Sequence, residues 1–150
     1  LGRLTPEARN CITIENEEMK HGLDDCLSIS DVVPIVLDIH HHWVREGEYI
    51  NANDDRVKRV IDSWRGVRPT LHYSISREDV LDSTNTLVKP EHSLLLESGH
   101  KKAKLRAHSD FYWNDAVNDW ALSFWPDFDI QCESKAKNLA SFRLFEQAIK

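Results

Sequence analysis

The chain has 150 residues, 41% of them hydrophobic and 29% charged, which fits one compact globular domain over residues 1–150 and excludes a disordered or fibrous chain. No uninterrupted run of 18 apolar residues occurs, so no membrane span is expected. Nineteen basic against 25 acidic residues give a net charge of −6, which excludes nucleic-acid binding by bulk electrostatics alone. The start, Leu1 to Pro6, has no apolar signal core and no initiator Met, and reads as the beginning of a piece of something longer. Three cysteines, Cys11, Cys26 and Cys132, have no C-x-x-C spacing and suit free thiols in a reducing compartment.

Taken in chain order, short β-branched runs alternate with helical segments. Asn10–Glu15 reads as a strand, and Glu17 to about Ser28 as a helix weakened by Gly22. Val32–Asp38 is a nearly continuous apolar run ending in a carboxylate, the pattern of a strand buried on both faces of a parallel sheet. Pro34 keeps its first residues out of a central ladder. Asn53 is placed to cap a helix from Asp54 to about Trp64, with Val57, Val60, Ile61 and Trp64 on one face. Thr70–Ser74 reads as a strand and is followed by a polar stretch to Pro90; Glu91–Arg106 has no clear period. Asn114 caps a helix through Phe124, Asp127–Glu133 alternates as a strand, and Ser134–Ile149 is an amphipathic helix. These are about four βα units with parallel strands, an α/β chain. A closed eight-stranded barrel takes roughly 250 residues, so the chain amounts to a partial TIM (β/α) barrel or a small open sheet. A half-barrel leaves two strand edges to be covered by another segment or by a second copy.

In such folds, functional groups gather at the C-terminal ends of the strands. Here those ends are Glu15, Asp38, His72 and Glu133, where simple burial would favour Val or Leu. A single carboxylate after a strand is ordinarily a helix cap or a solvated residue; four ionisable residues at four strand ends are a pattern. Oxygen and nitrogen donors together suit Mn²⁺, Zn²⁺ or Fe²⁺ better than Ca²⁺. Asp38-Ile39-His40-His41 adds a D-x-x-H element that brings His41 back over the strand end. Neighbouring side chains diverge, so His40 and His42 are assigned to packing or to holding carboxylates through their ring N–H groups. His108 joins the candidate ligands, and His21, His92 and His100 read as surface. The stretch Lys101, Lys102, Lys104 and Arg106 is the local cluster of positive charge. Its plain reading is a solvated loop, and beside a metal site it would hold DNA phosphates. Nothing resembles a P-loop, a G-x-G-x-x-G or a G-x-S-x-G element.

Ile12-Thr13-Ile14-Glu15-Asn16-Glu17-Glu18 resembles the "L-x-x-E-N-D-E" strand end of UV damage endonucleases. Val36-Leu37-Asp38-Ile39-His40-His41-His42 resembles their "V-L-D-x-H-H-H" segment. Leu71-His72-Tyr73-Ser74, Arg106-Ala107-His108-Ser109-Asp110 and Glu133-Ser134-Lys135-Ala136-Lys137 are similar to the later family blocks, in the same order. Where the family tends to place a Lys two residues before its later-block His, this chain has Thr70. The resemblance implies the C-terminal half of a TIM barrel akin to endonuclease IV, holding divalent metals and nicking double-stranded DNA 5′ to UV photoproducts. It further implies that Glu15, Asp38, His72 and Glu133 surround one or two ions and that His41 and His108 bind another. Manganese is the ion expected first and zinc second. Further ligands and lesion-probing residues would come from an N-terminal half or, for the barrel, a homodimer partner. The chain alone is expected to be nearly inactive. DNA as substrate implies the cytoplasm, nucleoid-associated in a bacterium. The rival readings are a xylose-isomerase-like sugar isomerase and a non-catalytic half-barrel that serves binding or assembly.

Overall fold

The computed structural model describes residues 2–81 and 84–150; Leu1, and Asp82 and Ser83 in the expected polar stretch, lie outside the described residues. The chain opens with a helix, α1 (Pro6–Asn10), where a strand was expected to begin at Asn10. Thr5 Oγ1 accepts from the Ala8 N–H and Pro6 opens the first turn, which together start a helix. Strand β1 is left with Ile14–Glu15. The helix expected from Glu17 is also shorter. The Glu17 carboxylate accepts from the backbone N–H groups of Met19, Lys20 and His21 and holds a turn there. Helix α2 (Leu23–Leu27) starts only after Gly22, its N-cap.

Strand β2 (Ile35–Asp38) is buried at all four positions, as its apolar run predicts. Helix α3 (Ile39–Glu46) follows without a loop, an element absent from the sequence reading. Asp38 Oδ1 caps it by accepting the His41 N–H at 2.7 Å, and Gly47 ends it at φ 74° in the left-handed region. The cap of α4 (Asp55–Ser63) is Asp54, not Asn53: Asp54 Oδ1 accepts the Arg56 N–H at 2.8 Å. Strand β3 is Thr70–Tyr73, and the unassigned segment holds two short helices, α5 (His92–Glu97) and α6 (Lys102–Leu105). Asn114 caps α7 (Asp115–Leu122) as expected, and β4 (Asp129–Cys132) and α8 (Asn138–Ala148) complete the chain.

The four strands form one sheet in the order β1-β2-β3-β4, every neighbouring pair parallel. Sequential order with parallel pairing is that of consecutive strands in a (β/α) barrel, and the α/β class stands. One core joins the sheet to its helices, with Leu27, Ile35, Leu37, Val57, Val60, Leu71, Tyr73 and Phe124 all buried in it. Each such side chain contributes about 1.5–3 kcal/mol by leaving water. Helix α4 is tied to β2 by polar bonds as well: Ser63 Oγ accepts the Ile35 N–H, and Trp64 Nε1 donates to the Ile35 carbonyl at 2.7 Å. The outer face of α8 is different, with Leu139, Phe142 and Phe145 more than half exposed. All three cysteines are free. Among the described residues no helix is long and apolar enough to cross a membrane.

Candidate metal centre

Parallel strands in register deliver their last residues to one end of the sheet. His72 Nδ1 lies 3.0 Å from Glu15 Oε1 and 3.3 Å from Glu133 Oε1. Glu15, Asp38 and His72 each offer a donor atom, and the three atoms lie within 4.8 Å of one another. One turn into α3, His41 Nδ1 stands 3.7 Å from Glu15 Oε1 and 3.6 Å from Asp38 Oδ2. Five of the six expected ligands are therefore brought together by the ends of four strands and the first turn of one helix.

Two residues that the sequence reading did not single out hold this arrangement. Asn16 is fully buried; its side chain accepts the Asp38 N–H and donates to the Asp38 carbonyl, both at 2.9 Å. That pair of bonds clamps the end of β1 to the end of β2. Its one sequence signal was an amide immediately after a strand-end carboxylate. Glu18, nearly buried, bonds Arg106 Nη1 at 2.8 Å and stands 3.7 Å from His41 Nε2.

Burial pushes the Asp38 carboxyl up to about 7, helped by the charges of Glu15 and Glu133 and opposed by His41. Burial would also raise Glu15, but the hydrogen bond and charge of His72, with the charge of His41, outweigh it and hold the carboxyl below its ordinary value. Burial would lower His72, yet Glu15, Glu133 and Asp38 lift it above the usual imidazole value. His41 rises in the same way, burial being overcome chiefly by Asp38. The cluster thus carries excess negative charge and recruits protons onto its imidazoles. Asp38 Oδ2 is buried with no hydrogen-bond partner. An orphaned carboxylate oxygen among carboxylates and imidazoles is the signature a divalent cation would satisfy, and the mixed oxygen–nitrogen set fits Mn²⁺, Zn²⁺ or Fe²⁺.

Of the remaining candidates, His108 adjoins this centre. The ring of His108 is 6.4 Å from that of His41 and 5.9 Å from that of His40, centroid to centroid. His42 holds a carboxylate as expected, Nε2 to Glu48 Oε2 at 3.0 Å, whereas His40 bonds the hydroxyls of Ser74 and Ser76. His21 is exposed, but His92 is buried and donates Nε2–H to the Val44 carbonyl at 3.1 Å, correcting its surface reading. Close approach explains it: a Cβ at Gly47 would meet His92 Nδ1 at 2.7 Å. His100 is half-buried and donates to the Val80 carbonyl. In the basic stretch, Lys101 and Lys104 are exposed, Lys102 Nζ donates to the Arg45 carbonyl, and Arg106 is engaged by Glu18.

Residues 1–150 match the sequence profile of the family described as UV-endonuclease UvdE. The chain belongs to that family. The UV DNA damage endonuclease of Bacillus cereus (strain G9842) is 23% identical over 152 residues, covering 97% of this chain and 40% of the relative. The UV-damage endonuclease of Schizosaccharomyces pombe is 26% identical over 149 residues, covering 95% of this chain and 21% of the relative. The crystal structure of SacUVDE superposes with a TM-score of 0.61 at 23% identity, covering 89% of this chain and 38% of that one, a likeness of fold. This UvdE-family chain spans 40% of the Bacillus cereus relative and less of the others.

Proposed function

We propose that this chain is the metal-binding portion of a DNA repair endonuclease that hydrolyses the phosphodiester bond 5′ to UV photoproducts in double-stranded DNA, with Mn²⁺ as its ion and Zn²⁺ as the alternative. The observation that carries the reading is the buried, unpartnered Oδ2 of Asp38, 3.6 Å from His41 Nδ1, on a carboxylate that clusters with Glu15 and His72. Glu15, Asp38 and His72 would hold one ion, with Glu133 reaching it from the far side of His72; His41 and His108 would serve a second. Bound divalent ions supply Lewis-acid stabilisation of the charge that develops on phosphate during hydrolysis. The chain's own residues position: Asn16 fixes the Asp38 backbone, and Asp38 Oδ1 fixes the first turn of α3 and with it His41. Lys101 and Lys104, both exposed, would meet phosphates, while Lys102 and Arg106 would have to leave their present partners to do so.

Two features support an incomplete barrel. Among the described residues β1 and β4 each pair on one side only, and the apolar face of α8 lies open. The remaining strands of a full-length family member would cover both, with a second copy as the alternative occupant. DNA as the substrate would place the protein in the cytoplasm.

The test is a chimera in which the matched segment of the Bacillus cereus relative, 40% of its length, is replaced by this chain. The chimera is expected to nick UV-irradiated plasmid in Mn²⁺ and to leave unirradiated plasmid intact, and Glu133→Gln should abolish nicking. The 150-residue chain alone should show little nicking. A folded, metal-loaded chimera that ignores irradiated DNA would overturn the reading, and sugar isomerisation by it would favour a xylose-isomerase-like activity instead.

A further inference from the structure

We propose that His40 is a positioning residue for His108, acting through a directed hydrogen-bond chain that joins the segment after β3 to Leu105 at the end of α6. The proposal deepens the reading above, because it rests on His108 as a ligand. His40 is 3% exposed; its Nδ1 is 2.6 Å from Ser74 Oγ and its Nε2 is 3.2 Å from Ser76 Oγ. The direction of each bond follows from proton counting. Ser76 donates its hydroxyl proton to the Leu105 carbonyl. A hydroxyl has one proton, so Ser76 Oγ accepts from the ring and His40 carries its proton on Nε2. Nδ1 is then an acceptor and receives the Ser74 O–H. The chain runs Ser74 O–H to Nδ1, Nε2–H to Ser76, Ser76 O–H to Leu105, with every member satisfied.

This chain ends where His108 is held. Ser76 and His108 face each other across an antiparallel bridge, in which Arg77 N–H donates to the Ala107 carbonyl at 3.0 Å and Ser109 N–H to the Ile75 carbonyl at 2.9 Å. The His108 ring stands nearly edge-on to the His40 ring, while Trp43 stacks against His40 at 6.0 Å. A leucine would fill the same volume, but it would leave two buried serine hydroxyls without their ring partner. The imidazole is needed for its opposed donor and acceptor, which lock the Leu105–Ser109 segment to the end of the sheet.

Two near-isosteric substitutions separate positioning from packing. In His40→Gln the amide nitrogen reaches the place of Nε2 and can still donate to Ser76. In His40→Asn the amide oxygen takes the place of Nδ1 and accepts from Ser74, leaving Ser76 without a donor. Mn²⁺ affinity of the metal-stripped chain by calorimetry and amide exchange at Ser109 are the readouts, with His108→Ala as control. His40→Asn should weaken Mn²⁺ binding about 10–100-fold, as His108→Ala does, and speed exchange at Ser109. His40→Gln should stay close to the starting chain in both. Equal losses in the two variants, tracking their melting temperatures, would overturn the proposal, as would an Nδ1–H tautomer seen by nitrogen-resolved NMR. If His108→Ala leaves Mn²⁺ affinity unchanged, the ligand reading fails by itself. The Ser109 exchange difference between Asn and Gln, which needs no metal, then still decides the positioning role.

Discussion

Strands β2 and β4 each lead to a carboxylate, but the first is a nearly continuous apolar run and the second alternates, and they sit in opposite surroundings. β2 is flanked by β1 and β3 and is buried throughout, whereas β4 is paired with β3 alone among the described residues and exposes Asp129 and Gln131. Asp38 at the end of β2 is fully buried, while the Glu133 side chain after β4 is 26% exposed. The apolar run of β2 and its two neighbouring strands together bury Asp38, while β4, alternating and paired with β3 alone among the described residues, leaves Glu133 within reach of solvent. β2 and β3, with partners on both sides, form the covered middle of the centre, and the outer strands β1 and β4 leave Glu15 and Glu133 partly exposed.

The comparison breaks most readily in the core. Leu37→Ala should cost about 2–5 kcal/mol in urea denaturation, and Ile130→Ala in β4 distinctly less. Equal losses would mean that β4 is as well covered as β2. Next comes Asp38→Asn, which keeps the cap acceptor for His41 but removes the buried charge. In metal-free protein at pH 8 it should gain about 1–3 kcal/mol, while Mn²⁺ binding falls. The sign follows from burial, which raises the folded carboxyl to about 7 from an ordinary value of about 3.9. The destabilising contribution of Asp38 therefore begins as pH rises through about 4 and is complete above about 7, so the gain from Asn should vanish below pH 4.

A smaller effect tests the cover of β2 by α4. Asp54→Ala should cost about 1 kcal/mol at pH 7 by removing the cap. The hydrogen bond to Arg56 outweighs a small burial effect and lowers the Asp54 carboxyl to about 2. Its contribution is thus present above about pH 3.9 and is lost as pH falls toward 2, so melts of the two proteins should converge there. The smallest change belongs to the open side: Phe142→Ser, on a residue 66% exposed, should move the stability of the chain by less than about 0.5 kcal/mol.

Sequence patterning reached the strands because each carries a β-branched or alternating run, and it reached Glu15, Asp38, His72 and Glu133 because ionisable residues interrupt those runs at one end. It missed α3, where three histidines mask the helical period, although Asp38 and Gly47 were its cap signals. Helices α5 and α6 gave no warning either: their N-caps, Glu91 and Lys101, make no side-chain cap bond. Asn16, Glu18 and the burial of His92 depend on contacts between distant segments, which local pattern does not encode.

The most direct measurement is a calorimetric titration of Mn²⁺ and Zn²⁺ into the metal-stripped chain, with His72→Ala and Asp38→Asn alongside. At least one ion bound by the starting chain and lost in both variants is the predicted result. No binding, or binding equal in all three proteins, would contradict a metal centre built from Glu15, Asp38 and His72.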